Sequence, residues 1–347
     1  EDYRRKFKVK KVVTIGEVLV RLSPPGYERF LQASTLEMAY GGAEANVAIA
    51  LANWGINSCF VTQLPNNDIG QSTINNLRKY GVDTRYIQRK GDRIGLYYLE
   101  KGNSTRTSNV IYDRANSAMV NVNPDDFDFE EIFKDADWFH VSGITLALGE
   151  KCIALVEKAI NEAKKRKIGI SVDLNYRSKL WTLEEFENVL PRFLEDIDVC
   201  FGWLSSIEGK QKKYNVANFA KDKLDEEMFT NIFSTMRAQF RIKYVVSTLR
   251  ETYSASYNAL SAIIYDGNEL YKSARYDFSV HDRVGAGDSF AARLIYGLVN
   301  GENHKEALEF GVAAAVIKHS IEGDVDLVSA DEVLALKNGK GIQSVNR

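Results

Sequence analysis

Asp282-Arg283-Val284-Gly285-Ala286-Gly287-Asp288-Ser289-Phe290-Ala291-Ala292 is the stretch on which the reading of this chain turns. Three small residues stand before a single carboxylate, and a helix-forming run, Arg293-Leu294-Ile295-Tyr296-Gly297-Leu298, follows. Without side-chain bulk, the amides of Gly285, Ala286 and Gly287 can close around a bound group, and the helix behind them adds partial positive charge at its N-terminus. Both features favour an anion. A carboxylate beside an anion site is costly unless it acts there, so Asp288 is read as a general base at the edge of a nest for developing phosphate charge. A helix N-terminus with small residues chosen for packing is the competing reading.

Outward from that stretch, the chain alternates strands and helices. Lys11 to Val20 is rich in β-branched residues and reads as a buried first strand, broken by Pro24-Pro25-Gly26. Gly41-Gly42-Ala43-Glu44-Ala45-Asn46 leads into a helix through Trp54 that Gly55 ends. A strand from Asn57 to Gln63 and a helix from Asp68 to Tyr80 continue the pattern, which signals a parallel sheet covered on both faces. The rhythm breaks at Ile94–Glu100 and Thr107–Tyr112, two strand-like runs around Lys101-Gly102-Asn103-Ser104. That arrangement suits a hairpin and, with Phe30–Ala39, a small separate sheet acting as a lid. Strands follow at 136–141, 168–174, 197–201 and 242–248, with helices at 149–167, 183–194 and 304–319. Gly209 to Glu227 reads as a solvated helix. No internal repeat or low-complexity linker interrupts the chain, so residues 1–347 are taken as one α/β domain, with lid strands inserted at about 28–40 and 94–113.

The 347 residues are 45% hydrophobic and 27% charged, with a net charge of −2. That balance gives no reason to expect nucleic acid or an anionic membrane as partner. Cys59, Cys152 and Cys200 are odd in number and widely spaced, and the four histidines lack metal spacing, so no metal site is assigned. No run reaches the roughly 18 apolar residues of a membrane helix. The charged Glu1-Asp2-Tyr3-Arg4-Arg5-Lys6 start has no signal-peptide core behind it, and the cytoplasm is the expected compartment.

The two glycine-rich segments together, Gly41-Gly42-Ala43-Glu44-Ala45-Asn46-Val47-Ala48 and Asp282…Gly285-Ala286-Gly287-Asp288, resemble the paired signatures of the ribokinase-like (PfkB-type) sugar kinases, over nearly the whole chain. The resemblance implies a three-layer α/β/α fold with a mainly parallel central sheet and a small β-sheet lid. Gly95-Leu96-Tyr97-Tyr98, Ile111-Tyr112-Asp113-Arg114-Ala115, His140-Val141-Ser142-Gly143-Ile144 and Asp173-Leu174-Asn175-Tyr176-Arg177-Ser178-Lys179-Leu180-Trp181 look most like the subgroup acting on 2-keto-3-deoxygluconate. By that resemblance Asp288 is the catalytic base, and Gly285, Ala286 and Gly287 form the anion hole. Gly42, Asn46, Tyr97, Tyr112, Arg114, Arg177 and Asp324 are expected to bind substrate. Arg114 and Arg177 suit its carboxylate, which Arg holds in bidentate fashion. Asn175, Thr248, Arg250, Gly285 and Gly287 are expected at ATP, with Mg²⁺ bridging its phosphates largely through water, a monovalent cation as a further candidate, and a homo-oligomer, either a dimer through the lid sheet or a higher assembly.

Five positions depart from the wider family pattern. Arg250, Arg283 and Arg293 stand where small residues are usual, Val312 where Asn is common, and Trp203 where an Asn-x-x-Glu motif begins, unless Ser205-Ser206-Ile207-Glu208 is its shifted equivalent. A fructokinase or other hexose kinase stays open as the alternative within the family. A non-catalytic sugar-acid sensor is the alternative outside catalysis.

Overall fold

The run that reads as one first strand is split between two sheets. The computed structural model describes residues 9–208 and 225–339. In it β1, Lys11–Ile15, lies in a large sheet and β2, Leu19–Ser23, in a small one. The break falls where Glu17 turns inward to meet Arg114 and Ser117. The remaining strands are β3 Glu37–Gly41, β4 Asn57–Leu64, β5 Ile87–Arg89, β6 Leu96–Glu100, β7 Asn109–Asp113, β8 Trp138–Ser142, β9 Gly169–Asp173, β10 Val199–Phe201, β11 Tyr244–Thr252, β12 Tyr257–Tyr265, β13 Leu270–Lys272 and β14 Tyr276–Ser279.

The large sheet runs β13-β12-β11-β10-β9-β8-β1-β4-β5, with β14 also paired to β12. From β5 to β11 every pairing is parallel; β12 turns antiparallel to β11, and β13 and β14 pair antiparallel with it. β1 and β8 are buried along their whole length, as strands covered on both faces must be. On one face Leu155 and Val156 of the Glu150–Arg166 helix and Phe229 and Phe233 of the Glu226–Phe240 helix pack into one apolar cluster. On the other, helices Ala43–Asn53, Ala286–Val299 and His304–Lys318 build a second. The result is the three-layer α/β/α arrangement.

The small sheet has the order β3-β2-β6-β7, with β2 and β6 parallel and the other pairs antiparallel. The hairpin of β6 and β7 sets Tyr97 opposite Tyr112. The strand expected over Phe30–Ala39 is formed only from Glu37 onward, and β2 supplies the sheet's centre instead. One face of this sheet buries Leu19, Tyr97 and Leu99 with Val284 of the glycine-rich loop packed against them, so the small sheet covers that loop.

Elsewhere the helix expected over 183–194 is helical for Leu183–Val189 and tightens to a 3-10 turn at Leu190–Phe193, where Pro191 removes an amide donor. Of the 209–227 segment read as helix, residues 209–224 lie outside the described residues. The next helix begins after Asp225, whose side chain accepts from the Met228 amide at 2.9 Å. All three cysteines are buried free thiols. Among the described residues no helix is long and apolar enough to cross a membrane.

Candidate active site

Asp288 sits in the first turn of the Ala286–Val299 helix. Gly285, ahead of it, has φ 79°, a left-handed conformation that side chains resist, and a Cβ there would fall 1.9 Å from the Asp324 carbonyl oxygen. Glycine is therefore required twice over. The Ser289 amide is the first to find a helical partner, Gly285 O at 2.8 Å, which leaves the preceding amides as the orphan donors of a helix start. A side chain at Gly287 would meet no atom of the described residues within 4 Å, so among them open space lies in front of this nest.

The Asp288 carboxylate accepts a hydrogen bond from Asn46 Nδ2 at 2.7 Å, which joins the two glycine-rich segments across 242 residues. Burial pushes Asp288 up to about 6, against the Asn46 hydrogen bond and the charge of Arg177, while Asp324 adds to the rise. Asp173, ending β9, is pushed to about 7 by burial and then by Asp288. A base poised near neutrality beside orphan amides suits proton removal from a hydroxyl that is gaining a negatively charged group.

Asp173, Asn175, Gly202, Thr248 and Gly287 line one cleft of about 370 Å³ at the carboxyl ends of β9, β10 and the parallel half of β11. That is where open α/β sheets bind ligands. Asn175 turns the chain there with φ 38°. Three residues expected at the nucleotide (Asn175, Thr248 and Gly287) thus share the cleft, whereas Arg250 and Gly285 do not line it. Burial, then Arg283 and Arg177, lowers Arg250 to about 10. Arg283 is half-buried, and its Nε atom is buried with no hydrogen-bond partner among the described residues.

On the sugar side the expected residues are arranged differently from a set of free contacts. Arg114 is no free clamp: it is buried, its Nε donates to Glu17 Oε2 at 2.8 Å and its Nη2 to the same oxygen. Its guanidinium also lies 5.6 Å from the Tyr112 ring centre. Tyr97 is no free contact either, since its hydroxyl donates to Asp324, and burial drives that hydroxyl's pKa up. Gly42 brings backbone close, but to protein: a Cβ would stand 2.1 Å from Glu17 O. Arg177 alone keeps an exposed side chain with no ion pair among the described residues.

Residues to which the sequence reading gives no role hold this frame together. Arg21 of β2 is buried, donating to Asp282 at 2.7 Å and to Asp324 at 2.9 Å. Burial opposes its charge, and the two carboxylates more than offset that. Glu44 Oε1 accepts from the Ser142 amide, Ser142 Oγ and Thr145 Oγ1 at 2.7–2.8 Å, and burial still raises the group to about 7. A signal for Arg21 exists in the sequence: a charge in the middle of the apolar strand Leu19-Val20-Arg21-Leu22 asks for a buried partner.

Comparison with known proteins now decides the family. The sequence pattern of the "pfkB family carbohydrate kinase" matches residues 9–208 and 215–328. The chain belongs to this family of carbohydrate kinases. A 2-dehydro-3-deoxygalactonokinase from Haloferax volcanii is 32% identical over 330 residues, covering 95% of this chain and 97% of that one. The crystal structure of a 2-dehydro-3-deoxygluconokinase from Thermotoga maritima is 42% identical with a TM-score of 0.89, over 95% of this chain and all of that one. A PfkB family carbohydrate kinase from Listeria grayi is 34% identical with a TM-score of 0.85, over 95% of this chain and all of that one.

As a PfkB kinase, the chain absorbs most of its departures structurally. Arg293, fully buried, stacks 3.3 Å from the Trp54 ring centre, pairs with Asp326 at 3.3 Å and donates to the carbonyls of Ala50 and Val328. It ties the Ala43–Asn53 helix to the loop after His304–Lys318. Val312 is fully buried in the apolar cluster beneath the sheet. Trp203 lines the cleft, its ring 5.5 Å from Phe229, and Ser205–Glu208 forms a 3-10 turn just beyond.

Proposed function

We propose that this PfkB kinase transfers the γ-phosphate of ATP to the terminal primary hydroxyl of 2-keto-3-deoxygluconate, giving 2-keto-3-deoxy-6-phosphogluconate. The observation that carries the reading is Arg177. Its charge bears on Asp288 and Asp173, yet among the described residues its guanidinium reaches only the Tyr176 carbonyl, at 3.4 Å. A guanidinium left unpaired near the base offers its fork to a substrate carboxylate. Relatives named for ketodeoxy sugar acids support that substrate class.

In this reading Asp288 takes the hydroxyl proton. At about 6, its carboxylate is ionised at neutral pH and more basic than an ordinary Asp. Asn46 Nδ2 holds it in place. The amides of Gly285, Ala286 and Gly287 meet negative charge as it spreads over the transferring group. Asn175 and Thr248 hold the nucleotide side of the cleft. Among the described residues no group of three or more His, Cys, Asp or Glu is arranged to hold a metal. Asp173, beside the phosphate nest, still fits Mg²⁺ through the water shell that this ion keeps, which leaves Asp288 free as the base. Bound there with the nucleotide, Mg²⁺ would supply charge neutralisation for the phosphates.

The small sheet closes the sugar side and keeps water from the base. Its residues Met38 and Ile111, with Leu31 and Leu36 of the segment leading into β3, are exposed, offering an apolar face to a second copy of the chain. The buried free thiols fit a reducing cytoplasm. A coupled ADP-release assay tests the substrate: turnover is expected with 2-keto-3-deoxygluconate, and its galactonate epimer belongs in the panel because of the Haloferax relative. Turnover with fructose and none with either acid would reject the proposal.

A further inference from the structure

Lys318 ends the His304–Lys318 helix and is fully buried. A lysine at a helix C-terminus ordinarily keeps its ammonium in water, where it meets the helix dipole at little cost. Here the ammonium points inward and donates to the carbonyls of Ile321 at 3.0 Å and Gly323 at 2.8 Å. Three carboxylates act on it: Asp282, Asp324 and Asp326. Two of them are shared with Arg21, and Asp326 is paired with Arg293. Three buried cations therefore face three buried acids, and among the described residues Lys318 is the one of these cations that makes no direct ion pair, its ammonium bonding to main-chain carbonyls instead.

Those carbonyls belong to the turn that supports the anion nest. The Gly323 amide donates to Asp282 Oδ2 at 3.1 Å, and the Asp324 carbonyl presses on Gly285. From the other side, the amides of His281 and Asp282 donate to His319 O at 2.8 and 3.1 Å. Asp282 Oδ1 accepts from the Val284 amide at 3.1 Å. The 319–326 turn and the 281–285 segment are thus clamped together around one ammonium. Main-chain carbonyls with nearby carboxylates are also the ligand set that a potassium or ammonium ion takes from a protein, since oxygen donors suit such hard cations.

We propose that Lys318 is a built-in monovalent cation: its ammonium holds the 319–326 turn against the Asp282–Gly287 loop, so phosphoryl transfer requires no added K⁺, Na⁺ or NH₄⁺. This replaces the expectation that a monovalent cation serves as a further cofactor, and it rests on the kinase reading above. Lys318 acts as a positioning residue: it holds the Ile321 and Gly323 carbonyls of the turn whose next carbonyl, that of Asp324, lies beneath Gly285. A purely structural lysine would give the same hydrogen bonds, and the two roles part company under cation replacement.

The test uses the full-length enzyme with its sugar acid and MgATP at constant ionic strength, the counter-cation being choline, Na⁺, K⁺ or NH₄⁺ in turn. Rates equal to within about twofold in all four are expected, because screening is matched and no site is left to fill. Activation by K⁺ or NH₄⁺ of about tenfold or more would overturn the proposal. Lys318→Ala in choline is expected to lose about 10–100-fold in kcat, the scale of a displaced catalytic loop, and to regain much of it in K⁺ or NH₄⁺. A Lys318→Ala enzyme with a native circular dichroism spectrum that keeps full activity in choline, or stays impaired in every salt, would also overturn it. Where that variant is too unstable to assay, the wild-type salt series decides alone. An enzyme inactive in every salt on every sugar sinks the kinase reading rather than this one.

Discussion

Asp288→Asn should make the protein a poorer enzyme and a more stable one. The folded-state carboxyl titrates at about 6 against 3.8 for the free group, and burial is the main cause. Above pH 6 the native state therefore holds a charge that it disfavours by up to about 3 kcal/mol, because each tenfold change in proton affinity is worth about 1.4 kcal/mol. The sign follows from the raised folded-state value. Below about pH 4 both folded and unfolded states are protonated and the penalty is absent; it grows between pH 4 and 6 and is complete above 6. Asparagine keeps an oxygen for Asn46 Nδ2 and carries no charge, so the variant should escape the penalty. For a chain of this length that is a rise in melting temperature of about 4 °C at pH 8, shrinking to nothing near pH 4. Loss of the base should lower kcat by about 10²–10⁴ with little change in ATP affinity. Differential scanning calorimetry at pH 8 and pH 4, beside the ADP-release assay, reads both. A variant that melts below the parent at pH 8, or keeps its rate to within about tenfold, would refute the reading of Asp288 as a charge-disfavoured carboxylate that acts as the base.

Other outcomes follow from the same geometry. The acid limb of kcat/KM should fall about tenfold per pH unit below pH 6, as Asp288 takes up its proton. Arg177→Ala should raise KM for the sugar acid about 10–100-fold, the worth of a charge-assisted pair, and barely alter any residual rate on a neutral hexose. Arg114→Ala should cost about 3–5 kcal/mol in urea unfolding by stranding buried Glu17, and the double change with Glu17→Gln should recover most of it. An Arg114→Ala protein of unchanged stability would show that the ion pair does not hold the small sheet.

The parts of the fold legible in sequence are those written locally. Gly55 and Gly81 end their helices at φ 81°, and the hairpin around Lys101–Ser104 pairs β6 with β7 as its turn residues suggest. The Ser329-x-x-Glu332 capping box that opens the Ala330–Lys337 helix is local in the same way. Lys11–Val20 misleads because a continuous β-branched run carries no mark of the inward turn at Glu17. That turn is fixed by Arg114 and Ser117, about a hundred residues on. The site divides the same way. The nest and Asp288 can be read from a few neighbouring residues, whereas the Arg21–Asp324 pair spans 303 positions and the Lys318 cage is made of carbonyls, which have no sequence signature. Residue type makes Arg114 and Tyr97 look like free contacts, and type alone cannot reveal that Glu17 and Asp324 already hold them.

The central claim is that Asp288 serves the terminal hydroxyl of a ketodeoxy sugar acid rather than that of a neutral sugar. A competition between equimolar 2-keto-3-deoxygluconate and fructose for limiting MgATP, read by proton-coupled ³¹P NMR of the products, tests it most directly. The expected result is one new phosphomonoester, split into a triplet by the two protons of a terminal CH₂–O group and matching in shift an authentic standard of the sugar-acid 6-phosphate added to the sample. Fructose phosphate as the main product, or inorganic phosphate with no sugar ester, would contradict it.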